Sequence, residues 1–463
     1  MTSGISAGTA PAHSAATGRL RTALEIFAGG IIVLIPALLN GYPFIYPDTG
    51  TYILQAVERV GAPDRPPYYS LLILPLHATV SLWPVALAQC CAVGGSVRLA
   101  SWVVGADLRG LGYFAVLGAL TALSTLPFHA GQLVPDLFAS LLPLWILPLV
   151  YAWDRLGGAQ RTLLVVATAG AAATHQSHLP LAAAIFAAAA GARLLQGFGL
   201  RDFRRVVGLG AVVVGLATAG LLTYSLAIVG RFTLSPQGSV FLLARLVADG
   251  PAVEYLAETC PGSGNPFCGE RDRMDGDHSD FLWDPDGPVA RLNLRLGMEQ
   301  TRRAAAEVVS GTLATRPREV ALAMAANVLR TAASFGALDT CPPGCIVGST
   351  VDVTIQKYFP SEYPHMRGSL QMRGLWPIHA IRVLDGAALL LSVFAAGFTL
   401  ARAAQRGDSP LLGLGALVVA TLLANAVVMG ALAGPYDRFQ SRVIWLVPLT
   451  ALLGVARWRR CAE

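Results

Sequence analysis

Residues 24–40 read LEIFAGGIIVLIPALLN, and the placement of this run decides what kind of chain this is. A helix that is apolar all round has no face to offer water, whereas hydrocarbon suits it, because its amides and carbonyls bond one another internally. A bilayer core about 30 Å thick takes roughly 20 such residues. Arg19 and Arg21 stand just before the run, as they would in a signal peptide, but no A-x-A cleavage site precedes Asn40. The run therefore reads as a retained first membrane helix. The Ser/Ala/Gly/Thr-rich stretch Met1–Gly18 before it reads as a disordered tail, and 1–23 as a cytoplasmic N-terminal segment.

Working outward, nine further segments carry the same signature, near 81–105, 111–133, 136–153, 161–176, 178–195, 206–229, 379–401, 410–434 and 441–457. The composition agrees: of 463 residues 54% are hydrophobic and 13% charged, with a mean hydropathy of +0.55, too apolar to cover a water-soluble surface. The formal charge of +6 invites a nucleic-acid reading, yet the cations are scattered between apolar runs and form no stripe. The expected fold is an all-α polytopic membrane protein of about ten spanning helices.

With the N-terminus inside, every short inner junction carries arginine: Arg109, Arg155 with Arg161, Arg201 with Arg204 and Arg205, Arg402 with Arg406, and Arg457 with Arg459 and Arg460. Arg65, Arg231, Arg438 and Arg442 fall on the outer side and need another reason. The segments at 161–176 and 178–195 share the junction Thr174-His175-Gln176-Ser177-His178 and read as a tight hairpin. This divides the chain into a seven-helix module at 24–229 with a first outer loop at 41–80, an extracytoplasmic insertion at 230–378, and C-terminal membrane helices at 379–463.

The insertion has soluble-protein composition and holds Cys260, Cys268, Cys341 and Cys345. Intervals of seven and three residues, with flanking prolines, do not match a zinc ribbon, and an oxidising compartment favours disulfides. Cys260–Cys268 with Cys341–Cys345 is the simplest of three connectivities. Residues 270–288 alternate acidic residues with glycine but lack the EF-hand spacing, and read as a solvated acidic turn. The apolar stretch 320–338, broken by Arg330, reads as a helix packed in or on the extracytoplasmic domain rather than a span.

Chemistry-bearing residues collect on the outer side. Asp48 follows the first helix by about nine residues, in a loop framed by Pro and Tyr, where a partly buried carboxylate can act as a general base. It can equally cap the helix that Thr49-Gly50-Thr51 begins. Asp136 opens the fourth segment, His129 ends the third, and His175 with His178 lie at the hairpin. Each also has a local structural explanation, as a cap or as a partner for a neighbouring carbonyl. Arg438 and Arg442, four residues apart, share a helix face and suit a phosphate, whether of a lipid headgroup or of a lipid-linked substrate.

These elements resemble the GT-C superfamily of membrane glycosyltransferases, particularly the branch with protein O-mannosyltransferases and the aminoarabinose transferase of lipid A. Asp48 stands where those enzymes place an acidic residue after their first helix. Arg65-Pro66-Pro67-Tyr68-Tyr69 looks like their surface His/Lys-Pro-Pro element, Pro135-Asp136-Leu137 like their fourth-helix acidic motif, and Arg438 to Pro448 like their late Arg-Tyr…Pro segment. No lysine stands at the hairpin, no second acid stands beside Asp48, and the insertion matches nothing in the pattern. The resemblance implies transfer of a sugar from a polyprenyl phosphate to an envelope glycan, lipid or protein acceptor, with inversion, at the inner membrane of a bacterium. Asp48 would be the base. Arg438 and Arg442 would hold the phosphate, while Asp136, His129, His175, His178, Arg65 and Tyr69 would line the substrate site, with a divalent metal as an optional cofactor. No nucleotide-binding loop is present or needed. A transporter or lipid flippase and a non-catalytic envelope assembly protein stand as the competing readings.

Overall fold

The computed structural model describes residues 12–274, 278–336 and 343–462. Among the described residues every regular element is a helix, and the extended pairings are isolated bridges. The order begins with α1 (Ala12–Asn40), α2 (Pro47–Glu58), α3 (Tyr68–His77), α4 (Trp83–Val103), α5 (Gly110–Leu123), α6 (Leu126–Ala130) and α7 (Leu137–Tyr151). Then come α8 (Gly158–Ala173), α9 (His178–Leu195) and α10 (Leu200–Val229). The insertion supplies α11 (Gly238–Ala248), α12 (Pro251–Ser263), α13 (His278–Trp283), α14 (Pro288–Leu296), α15 (Met298–Thr315), α16 (Pro317–Ala333), α17 (Pro343–Ile346), α18 (Thr350–Tyr358) and α19 (Tyr363–Gly368). The chain ends with α20 (Ile378–Arg406), α21 (Ser409–Leu432), α22 (Asp437–Ile444) and α23 (Leu446–Ala462).

Six helical stretches among the described residues are long and apolar enough to cross a membrane: 17–40, 178–195, 200–228, 378–406, 409–432 and 437–460. The other four expected segments fall short for local reasons. Gln89 and Arg98 interrupt the apolar sequence of α4, and α7 and α8 have only 15 and 16 residues. The run at 111–133 breaks at Ser124, whose extended backbone separates α5 from α6. At the N-terminus the helix begins at Ala12, inside the stretch expected to be a disordered tail. Alanine is the strongest helix former, and its recurrence here lets the first membrane helix propagate backwards.

Helix junctions gather at two opposite ends. At one end Arg457 meets Asp408 at 3.1 Å, Arg460 meets Asp107 at 3.3 Å, and Arg205 meets Asp202 at 2.7 Å. At the other end the loop after α1 is zipped to the residues ahead of α7: Phe44 N–H donates to Gly131 O and Leu133 N–H donates to Phe44 O, both at 3.0 Å. The Gln371 side chain clamps Ile45 on both backbone groups, at 2.8 and 3.1 Å.

The insertion is not one unit. Helices α11 to α15 enclose a core around Leu243, Leu256, Phe267, Phe281 and Val308, tied locally by the Cys260–Cys268 disulfide. Cys341 lies outside the described residues, as do residues 275–277 of the acidic turn. Helices α17 to α19 belong instead to the membrane-side core, and α18 crosses α2 so closely at Gly50 that a Cβ there would stand 2.4 Å from Val351 N. The helix expected to pack in or on the extracytoplasmic domain, α16, lies chiefly along α21 and crosses it at Gly430. Small residues on both helices permit that approach. Its ends nonetheless meet neighbours at the same end of the molecule, since Val320 joins the insertion core and Gly336 adjoins Arg382 and Asp437.

Candidate functional site

The local chain around Asp48 is set by its neighbours. Tyr46 is extended, Pro47 opens α2 at the position where a missing N–H costs nothing, and Thr49 Oγ1 accepts from Tyr46 N at 3.1 Å. Thr49 therefore takes the capping role, and the Asp48 carboxylate is released to receive Arg65 Nη2 at 2.8 Å. Arg65 is held in turn by its backbone, whose carbonyl accepts from Gln55 Nε2 at 2.9 Å, and its guanidinium lies 3.4 Å from the Asp64 carboxylate.

Asp136 stands at the start of α7 without capping it. Its Oδ1 receives Arg442 Nη1 at 2.7 Å and its Oδ2 receives Arg438 Nη2 at 3.2 Å. The Arg438 guanidinium carbon lies over the Tyr46 ring, 3.9 Å from its centre, and the side chain reaches Asp48 Oδ2 at 3.7 Å. Arg442 also donates to Asn425 Oδ1 at 2.8 and 3.1 Å and to Ser177 Oγ at 3.2 Å. The result is an alternating chain, Asp64–Arg65–Asp48–Arg438–Asp136–Arg442, with three carboxylates against three guanidiniums. It deepens from the half-open Asp48, 21% exposed, to Asp136 at 3% and Arg442 at 1%.

Such burial is tolerable only with complete pairing, and it also sets the electrostatics. Burial by itself would raise the Asp48 carboxyl, but the adjoining Arg65 and Arg438 outweigh it and hold the group below its ordinary value. Tyr52, one helical turn further along α2, is wholly buried, its hydroxyl pushed up by desolvation and without a protein hydrogen-bond partner.

The three histidines have separate partners. His175 Nδ1 accepts from Ser177 N at 3.2 Å and lies 2.8 Å from Ser177 Oγ, which ties the hairpin to Arg442; the pattern assigns the proton of His175 to Nε2. His178 Nδ1 faces Ala171 O at 3.1 Å and so carries its proton there, leaving Nε2 buried without a protein partner. His129 Nε2 bonds Ser441 Oγ at 2.9 Å, behind the face that bears Arg438 and Arg442. Tyr69, expected among the substrate contacts, is a core residue instead: it is fully buried and its hydroxyl donates to Gln89 at 2.7 Å. An aromatic beside a motif in sequence carries no information about which way its helix turns it.

Among the described residues no group of three or more His, Cys, Asp and Glu is disposed to hold a metal ion. Both Asp136 oxygens are occupied by guanidiniums, and a divalent cation would meet three neighbouring arginines, so this donor set does not suit one. No family model, curated protein or solved structure matches the chain.

Several partners escaped the sequence reading. Ser177 and Asn425 are neutral: Ser177 sits in the polar hairpin junction, and only Asn425 carried the signal of a polar residue within a membrane helix. Trp283, on α13 of the insertion, has Arg65 5.8 Å from its ring centre. Asp385, inside α20, is buried with Oδ2 unpartnered by protein, and with Trp445 it lines a small cavity beside Ser124 and Thr125.

Proposed function

We propose that the protein is an inverting glycosyltransferase of the GT-C type, which moves a sugar from a polyprenyl phosphate to an acceptor hydroxyl outside the inner membrane of a bacterium. In this reading the chain crosses the membrane ten times, with both termini cytoplasmic and the shorter helices α4, α5, α7 and α8 spanning inside the bundle. The observation that carries it is the meeting of Asp48 with Arg65, Arg438 and Asp136 at the end where the first outer loop, the start of α7 and the last outer junction converge.

The chemistry follows from the alternating charges. The acceptor oxygen bonds to the anomeric carbon as its proton passes to Asp48, and the bond from that carbon to the phosphate oxygen breaks. The electron pair leaves with polyprenyl phosphate, which gains one negative charge while Asp48 loses one. Arg438, freed of its longer pairing with Asp48 at that moment while Asp136 still orients it, stabilises the departing phosphate. Arg442 is pinned by Asp136, Asn425 and Ser177 and acts as the fixed post against which Arg438 is oriented.

Purified protein in lipid, supplied with radiolabelled polyprenyl phosphate sugars, tests the proposal. Transfer by the wild type and its loss in Asp48→Asn, with folding retained, is the expected result; transfer that survives the substitution removes Asp48 from the mechanism. One observation favours a transporter as the second reading, namely the buried Asp385 carboxylate within a membrane helix. Flux across liposomes that Asp385→Asn abolishes, with no transfer, would select it.

A further inference from the structure

The alternation of membrane segments puts Arg231 on the outer side, where the arginine rule for inner junctions does not account for it. The helix before it, α10, has 30 residues and is apolar enough to cross a membrane over 200–228. At about 1.5 Å per residue it measures roughly 45 Å, the thickness of a bilayer with its headgroup layers included. Arg201, Arg204 and Arg205 stand at one end of this helix. The link that follows its other end, Arg231-Phe232-Thr233-Leu234, therefore emerges in the opposite headgroup layer. Near that end Tyr224 donates to Ala62 O at 3.0 Å, so this face of the molecule is the one bearing the loop of Arg65.

The corner between α14 and α15 is brought to the same height. Glu299, in the first turn of α15, pairs with Arg231, with Arg302, and with Arg303 at 2.8 Å, so three guanidiniums share one carboxylate. Ser239 Oγ fastens the link further by donating to Arg302 O at 3.1 Å. Arg295, in the last turn of α14, is exposed and adds another cation. Among these charges apolar side chains lie open: Phe232 is 73% exposed and Leu294 87%, with Leu234 and Met298 beside them in the same segments. Helix α14 already buries Val289 and Leu292 in the insertion core, so Leu294 is surplus to the packing of the subdomain.

Apolar side chains set among an excess of arginines, at the height where a membrane helix ends, suit a surface that lies in the lipid interface. Ring and aliphatic groups enter the acyl boundary while guanidiniums meet phosphates. Lipid is the neighbour the covalent chain enforces, because Phe232 stands three residues beyond the end of α10. We infer that the α10–α11 link and the α14–α15 corner form a docking surface for anionic phospholipid headgroups, which seats the disulfide-bearing subdomain on the bilayer. This goes beyond the transferase reading and does not depend on it.

The test uses the whole chain in nanodiscs of phosphatidylcholine with or without phosphatidylglycerol, carrying a nitroxide at Leu294→Cys. The signal of the same protein without that substitution is subtracted. Oxygen, which collects in lipid, and a nickel chelate, which stays in water, report what covers the label. With phosphatidylglycerol present the label should meet oxygen and escape nickel. The ratio of the two collision rates should fall roughly fivefold in each of Arg295→Gln and Arg303→Gln, the effect of one cation near an anionic surface. Phosphatidylcholine alone should lower it without either arginine substitution. A label open to nickel in both membranes means water at this surface, and a label hidden from both reagents means protein; either overturns the inference. Lipid exposure indifferent to phosphatidylglycerol overturns it as well.

Discussion

The two ends of the helix bundle both collect arginines and aspartates, and they use them differently. At the end bearing Arg457 and Arg460 the partners sit at helix junctions, with Arg460 50% exposed and its distance to Asp107 3.3 Å. These pairs are separate and partly exposed, Arg457 with Asp408 at 34% and 16% and Arg205 with Asp202 at 23% and 28%. At the end bearing Asp48 the charges share partners in one continuous chain and descend into the protein until Arg442 has 1% of its side chain exposed. Arginines of the first kind follow from the energetics of placing a chain in a membrane. Those of the second kind are costly to bury and are held there by shared carboxylates.

The comparison breaks most severely at Asp136. Asp136→Ala strands the buried Arg442 guanidinium, and a loss of about 3–5 kcal/mol is expected, read as a large fall in thermal stability and in folded yield. Adding Arg442→Leu should restore part of it, and an unchanged melting temperature in the single variant would remove the network from the account of the fold. Next in size, Asp48→Asn should lower transfer by about 10²–10⁴-fold, measured as initial rate on the labelled donor, with a smaller loss of stability than Asp136→Ala because Asp48 is the more exposed of the two.

A subtler difference lies in pH. The Asp48 carboxyl is held below its ordinary value of 3.8 in the resting network. Activity that requires the carboxylate is therefore present above that range and lost only as pH falls through the depressed value, so the acid limb of kcat/KM should lie under 3.8. The pairing contributes stability with the same sign, present above the unfolded carboxyl value and lost as pH falls through the folded one. An acid limb at or above the ordinary value would mean that a different group titrates. The smallest effect belongs to the other end: Arg460→Ala should cost under about 1 kcal/mol and leave transfer intact, because an exposed pair is well screened.

The charged members of the site were legible before any folding was considered. Asp48, Asp136, Arg438 and Arg442 are conspicuous because a charge beside an apolar run is expensive, and the alternation of membrane segments assigns all four to one side. Their neutral partners were not legible. Ser177 looks like any hairpin residue, Asn425 like an isolated polar break, and Tyr69 sits in a motif while its hydroxyl turns to Gln89. The insertion was recognisable by composition, yet nothing in it announced that α13 would lie against Arg65 or that α18 would cross α2 at Gly50.

Hydropathy and arginine placement alone were enough to determine that the chain is helical and lipid-embedded, because those depend on the free energy of each segment in hydrocarbon and add up along the chain. Which carboxylate meets which guanidinium, and which part of the insertion lies against the site, were decided by packing. Such contacts join residues as far apart as Asp136 and Arg442, and their energies exist only once a particular arrangement of helices has been chosen.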